Sequence, residues 1–383
     1  MTALAVIDPA LGFSRGHHLG ALEHLSGVVE NLVIAGGTAR DPSLCDLLSR
    51  SGIALQPIFT QPFYQSLDHA PVARVSSYVR QLAKEYIQCF RSIDADCYLY
   101  HTLSWEHAEA LALAIEYCQH QEGKRPAGKH LVFTMFNPGL NHRGAIVDPM
   151  AFCRFKLGFG ELSQSARLSL FAPSEEYAIK YQQLLGLRTP LPIHPVFFDS
   201  LADSPPLLGK EGAAPMEILY LGDAKTEKGF RRLPDLVRSR LLEAPDYHFV
   251  VQYSSNGEEA LLPFEAELAA MAELEPRLTV YRGFVPHDTL DTLLATAERV
   301  TLDYDPQYYA DKSSGVLWLA MARNIRVSTP PGTWLRREAS RLSVFAEGGE
   351  WNKPRDFEQI NQYRKKVFCP FDEWLSKIMA GEE

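Results

Sequence analysis

YLGDAKTEKGF, residues 220–230, decides how this chain folds. An apolar run of strand length ends at Leu221. Gly222 permits a tight turn, and Lys228-Gly229 opens a helical segment. A strand that hands over to a helix through a short polar glycine turn is the unit from which parallel α/β sheets are built. Downstream the same alternation continues. Strands are predicted at Glu217–Leu221, His248–Tyr253, Leu278–Arg282, Arg299–Asp303 and Ile325–Ser328. Helices are predicted at Phe230–Leu242, Glu258–Leu274, Thr289–Glu298 and Ser313–Ala322.

Upstream lies a break, DSLADSPPLLGKEGAAP, residues 199–215, whose prolines, glycines and small residues read as a linker. Before it the alternation runs again, with strands at Leu4–Asp8, Leu32–Ala35, Ala54–Ile58, Cys97–Tyr100, His130–Thr134 and Leu168–Ala172. Helices are expected at Trp105–His120 and Ser174–Leu185. The expected fold class is α/β, two doubly wound Rossmann-like domains facing a central cleft. The expected divisions are 1–198, the linker 199–215, a second domain 216–355, and a helical tail 356–383 interrupted at Pro370 that packs back toward the first domain.

Composition excludes several classes. The chain has 383 residues, enough for more than one domain, and a net charge of −9, which opposes non-specific binding to nucleic acid or an anionic membrane. Six cysteines are scattered without a CxxC pair, the usage of reduced thiols in a cytoplasmic protein. The opening MTALAVIDPALGF has no basic region before its apolar run and reads as a first strand. No apolar stretch reaches the roughly 18 residues of a membrane span. The expected location is the cytoplasm, with at most peripheral contact at the inner face of a membrane.

Ligands of doubly wound sheets bind at the carboxyl ends of the strands, and three segments of the second half fall there. Lys225 and Lys228 follow the first strand, either as solvated loop lysines or facing a diphosphate. Ser313, Ser314, Gly315 and Val316 begin a helix after a polar and aromatic loop. A helix start offers unbonded amides and a favourable dipole to a phosphate, and a serine there can equally serve as an N-cap. Gly283 and Phe284 end another strand, where a flat segment faces a nucleobase or simply packs.

The order and spacing of these segments resemble the C-terminal domain of GT-B glycosyltransferases, in particular the retaining nucleotide-sugar group of family-4 type. Glu227-Lys228-Gly229, Gly283-Phe284-Val285 and Ala320-Met321-Ala322 match its motifs in order. The likeness covers residues 216–330 well. In the first half it is carried by Phe171-Ala-Pro-Ser174 and His194-Pro195-Val196. The chain also departs from the pattern. Asp311 stands where the group has its first glutamate, Leu319 where it has the second, and Asp223 where it has an arginine. What the resemblance implies is a hexosyltransferase that retains anomeric configuration and uses a UDP- or GDP-sugar as co-substrate. It implies no permanently bound cofactor, with Lys228 and Asp311 in the reaction centre.

On the acceptor side, Gly16 with Arg15, His17 and His18 follows the first strand, where the group places a glycine-rich loop. His101 closes a strand, either as a hydrogen-bond donor to a sugar or as a structural histidine at a sheet edge. Asn137, His142 and Arg143 follow a further strand and are candidates to line an acceptor site. Arg154 and Lys156, among Phe152, Phe155 and Phe159, form either a patch that meets a lipid-linked acceptor or a packed core with basic stems at its rim. No metal-ligand spacing is present.

The reaction expected is transfer of a sugar from a nucleoside diphosphate to a glycan, lipid-linked or small-molecule acceptor, in glycan biosynthesis and without nucleic acid. Two rivals remain. Leu319 and Asp223 motivate a non-catalytic scaffold of the same fold, and a sugar-nucleotide epimerase shares the two-domain architecture.

Overall fold

A computed structural model describes residues 3–11, 22, 24–38, 42–50, 52–63, 67, 70–121, 128–165, 167–196, 215–255, 257–342 and 357–381. The chain divides into two compact units, Met1–Asp199 with Cys369–Glu383, and Ser200–Phe368.

The first unit holds β1 (Leu4–Asp8), β2 (Leu32–Gly37), β3 (Ala54–Phe59), β4 (Cys97–Tyr100), β5 (Lys129–Phe133) and β6 (Leu168–Phe171). They form one parallel sheet in the order β3-β2-β1-β4-β5-β6. Every residue of β1 and β4 is buried, as befits central strands covered on both faces. Around the sheet lie α1 (Pro42–Arg50), α2 (Val72–Ser92), α3 (Trp105–Gln121), α4 (Pro149–Leu162) and α5 (Glu175–Leu185). Local chemistry sets the helix ends. Asp148 caps α4 by accepting from the Ala151 amide at 3.0 Å, with Pro149 in the first turn. Ser174 caps α5 and Gly186 ends it in the left-handed conformation.

The C-terminal helix Phe371–Ala380 completes this unit. The ring of Trp374 lies 5.6 Å from that of Phe133 and 5.1 Å from that of Phe171. The ammonium of Lys129 donates to the Ile378 carbonyl at 2.9 Å.

The second unit holds β7 (Met216–Ala224), β8 (His248–Ser255), β9 (Leu278–Arg282), β10 (Ala297–Thr301) and β11 (Arg326–Ser328), all parallel in the order β11-β10-β7-β8-β9. Its helices are α6 (Leu233–Glu243), α7 (Leu262–Leu274), α8 (His287–Thr296), α9 (Gly315–Ala322), α10 (Trp334–Leu342) and α11 (Phe357–Val367).

Near residue 222 the structure corrects the sequence reading. β7 runs to Ala224, and Gly222 is paired with Tyr253 inside the sheet. The turn comes later, as a 3-10 segment Thr226–Lys228 followed by Gly229. α6 starts at Leu233, with Pro234 in its first turn. The cause is the neighbour. β8 extends to Ser255 and offers backbone partners to β7 through Ala224, which an apolar-run criterion does not see. α9 likewise starts at Gly315, two residues after the expected Ser313.

Arg364 of α11 joins two helix ends. It donates to Leu342 O at 2.8 Å, Met321 O at 2.9 Å and Asn324 Oδ1 at 2.6 Å. Carbonyls at a helix C-terminus lack intrahelical donors, so this guanidinium supplies what the helices lack. Arg364→Met, which keeps the stem, is expected to cost about 2 kcal/mol, measured by urea unfolding.

Candidate functional site

The order of the second sheet reverses between β7 and β10, and in such sheets a crevice opens at the carboxyl ends of the two strands flanking the reversal. The loops leaving those two strands are bonded to each other. The Asp305 amide donates to Glu227 O at 2.9 Å. Arg232 Nε meets Asp303 Oδ2 at 2.9 Å, and its Nη2 donates to Asp303 O at 2.7 Å. Gly229 lies between them with φ +77, and a Cβ there would sit 2.0 Å from Asp303 O. Glycine is therefore obligatory at this crossing.

Lys228 ends the 3-10 turn and folds back over β7. Its Nζ lies 3.3 Å from where a Cβ on Gly222 would be, and 6.0 Å from the Tyr304 ring centroid. Burial lowers the Lys228 pKa; Asp223 opposes that shift, and Lys225 and Lys312 reinforce it. Glu227 also opposes the shift, while two other acids close by are paired. Asp223 Oδ2 is 3.6 Å from Lys225 Nζ, and Asp311 Oδ1 is 3.3 Å from Arg337 Nη2. Neither Lys228 nor Lys312 has an ion-pair partner among the described residues. Lys312 rests over Tyr309 at 5.3 Å, and the Tyr304 and Tyr309 rings stand 4.5 Å apart.

α9 begins beside this cluster. Ser314 occupies its N-cap position but makes no capping hydrogen bond. The first-turn amides, Gly315 and Val316 among them, have no intrahelical acceptor by helix geometry. Ser313 is half-buried just before. On the other flank, Gln252 joins two strand ends. Its Oε1 accepts from the Gly222 amide at 3.1 Å, and its Nε2 donates to Gly283 O at 2.7 Å. Phe284, the next residue, is 60% exposed. Thus Lys225, Lys228, Gly283, Asp311 and the start of α9 all lie at the carboxyl edge of one sheet. Sequence reading overlooked Lys312, Arg337 and Gln252. Lys312 stands in the polar and aromatic loop before α9, but nothing local shows that it has no carboxylate partner among the described residues.

The first sheet reverses between β1 and β4. Asp8 ends β1, and His101 follows β4; both are buried, with His101 Nδ1 3.9 Å from Asp8 Oδ2. Thr102 Oγ1 lies 3.3 Å from the same ring nitrogen. The Ala10 amide donates to Asp8 Oδ1 at 3.0 Å. His107, fully buried, bonds Tyr86 OH through Nδ1 at 2.9 Å. Burial pulls its pKa down to about 3, with Asp8 opposing. Asp8 and His107 were not singled out from the sequence, although Asp8 is the last residue of the first strand.

Other candidates on the acceptor side are placed as follows. Asn137 Oδ1 accepts from the Leu140 amide at 3.1 Å. His142 and Arg143 are exposed in a turn held by Asn141, whose Oδ1 accepts from Arg143 N and Ala145 N at 2.9 and 3.0 Å. Arg154 lies 5.0 Å over the Trp105 ring and donates to Leu67 O at 3.1 Å, while Phe155 and Phe159 are core residues. Lys156 is exposed, its ammonium 5.9 Å over the Phe152 ring. Arg15, Gly16, His17 and His18 lie outside the described residues. No group of three or more His, Cys, Asp or Glu among the described residues is arranged to hold a metal. No described helix is long and apolar enough to cross a membrane.

No family model matches the sequence, and no curated protein does either. Solved structures match over the whole chain. Anabaena HepE in complex with UDP is 12% identical, covers 99% of this chain and 100% of its own, and superposes with a TM-score of 0.59. The glycotransferase of kitacinnamycin is 13% identical, covering 100% and 99%, with a TM-score of 0.57. UDP-GlcNAc 2-epimerase from Neisseria meningitidis, bound to UDP-GlcNAc, is 12% identical over 100% of both chains, with a TM-score of 0.53. At such identities the likeness concerns the fold: two Rossmann-like parallel-sheet domains, the GT-B architecture.

Proposed function

We propose that this chain transfers a sugar from a nucleoside diphosphate sugar, whose diphosphate is held at the carboxyl edge of the second unit. The observation that carries the reading is Lys228, a half-buried ammonium with no carboxylate at ion-pair distance among the described residues, at the point where the sheet order reverses. A cation partly withdrawn from water and without a close counter-charge is stabilised when a ligand supplies one. The amides opening α9, beside Ser313 and Ser314, add donors without intrahelical acceptors. Lys225 adds charge, and Gly283-Phe284 offer a surface to the base.

The chemistry follows from these groups. The bond from the anomeric carbon to the diphosphate oxygen breaks, and its electron pair stays on the diphosphate. Lys228 and the α9 amides stabilise that developing charge. The acceptor hydroxyl forms the new bond to the anomeric carbon and passes its proton to the departing diphosphate oxygen. Asp311, oriented by Arg337, is assigned to the donor's hydroxyls. His101 is assigned to the transferred sugar or the acceptor, with Asp8 orienting its ring. Acceptor-side roles for Asn137, His142 and Arg143 belong to the same proposal, as do the glycan, lipid-linked or small-molecule acceptor and the cytoplasmic setting.

The test is a thermal-shift series with UDP, GDP and their sugars, followed by product analysis. Stabilisation by one nucleotide and sugar transfer, or slow donor hydrolysis, is expected. Indifference to every nucleotide sinks the reading and favours the non-catalytic scaffold. A second reading is epimerisation, favoured by the epimerase among the structural relatives; conversion of the donor with no acceptor present would select it. Asp8→Asn is expected to lower kcat about tenfold with KM nearly unchanged, since it removes the carboxylate beside His101.

A further inference from the structure

α2 is polarised in a way its chain is not. The protein carries a net charge of −9, yet this helix of 21 residues holds Arg74, Arg80, Lys84 and Arg91 against a single acid, Glu85. Glu85 is buried and already accepts from Thr60 Oγ1 at 2.5 Å and Gln81 Nε2 at 3.1 Å. The charged groups on the exposed face of α2 are thus all cations. Arg74, Arg80 and Lys84 have no ion-pair partner among the described residues; Arg80 Nε donates only to Ser76 O of its own helix.

These three cations line a depression of about 1000 Å³ between α2 and α3. Ser77 and Gln81 add a hydroxyl and an amide to the lining, and α3 contributes Tyr117, whose side chain is 42% exposed although large and aromatic. Arg74 and Lys84 are ten residues apart, about 15 Å along a helix. A concave strip of that length with charges at both ends and between them fits an extended chain carrying several negative charges. It does not fit the flat face of a bilayer. Tyrosine, amide and hydroxyl groups bind the C–H faces and hydroxyls of sugars, and guanidinium groups bind carboxylates in pairs.

We infer that the groove between α2 and α3 binds an anionic oligosaccharide and is where the acceptor chain docks. The acceptor role rests on the sugar-transfer reading; the groove's ligand does not. Isothermal titration at low salt with a hexamer of galacturonic acid tests it, with the methyl-esterified hexamer as the uncharged control. The acidic hexamer is expected to bind, and the ester to bind at least about tenfold more weakly. Arg74→Ser/Lys84→Ser, at exposed positions, is expected to weaken the acidic hexamer about tenfold with an unchanged melting temperature. Absence of binding, equal affinity for the ester, or no change in the double variant overturns the inference. Equal affinity for hexaglutamate also overturns it, in favour of an acidic peptide partner. Thermal shift with UDP and GDP on the same preparations separates the two proposals. Hexamer binding without a nucleotide response removes the donor reading alone, and a nucleotide response without hexamer binding removes the groove alone.

Discussion

Gly229→Ala is expected to lose about 3 to 5 kcal/mol of stability and to abolish nucleotide binding. Two costs add. The backbone there has φ +77, a left-handed conformation that a side chain disfavours by roughly 1–2 kcal/mol. The added methyl would then lie 2.0 Å from the Asp303 carbonyl oxygen and 3.0 Å from Asp303 C. These are backbone atoms, so the loop after β10 must move away from the turn after β7. That movement breaks the Asp305–Glu227 amide bond and the Arg232 contacts to Asp303. It also carries Tyr304 away from Lys228. Urea unfolding reads the stability, and hydrogen exchange across β7 and β10 reads the loosening. A loss below about 1 kcal/mol would mean that the two loops do not cross this closely.

Lys228→Met is expected to weaken binding of the nucleoside diphosphate about a hundredfold, roughly 2–3 kcal/mol, with little loss of stability. Methionine keeps the apolar stem over Gly222 and removes only the charge. The wild-type pH dependence carries a further signature. The Lys228 pKa is lowered by burial, so the ammonium loses its proton at lower pH than an ordinary lysine. Affinity for the diphosphate should therefore fall as pH rises through that lowered value, and the fall should vanish in Lys228→Met. Stability of the ligand-free protein moves the opposite way. Between the lowered folded pKa and the unfolded value, the unfolded chain binds more protons, so stability rises with pH in that window. Titration calorimetry across alkaline pH checks the first effect, and thermal melts of the ligand-free protein check the second. Unchanged affinity in Lys228→Met would remove Lys228 from the site.

Much of the architecture was legible in local pattern. Leu4–Asp8, Cys97–Tyr100 and Leu278–Arg282 are strands to the residue, because their apolar runs are bounded by polar or turn residues on both sides. α5 was legible because Ser174 and Gly186 mark its ends chemically. β7 was read three residues short at Ala224 because its last residues, Gly222-Asp223-Ala224, are poor strand formers held only by β8.

The individual lysines and histidines were visible as candidates, but their states were not. Whether Asp311 is free or paired depends on Arg337, 26 positions away in the chain. Whether His101 stands alone depends on Asp8 at the end of another strand.

Alternating apolar runs, caps and breakers thus account for the number and kind of elements, since each is a property of a few neighbouring residues. Strand order, the two points of reversal, and the pairing of each charge come from contacts between distant segments. Periodicity carries no record of which segment lies beside which. Burial does: it lowers the Lys228 pKa, a shift set by the packing around the turn after β7 and not by the residues next to it in the chain.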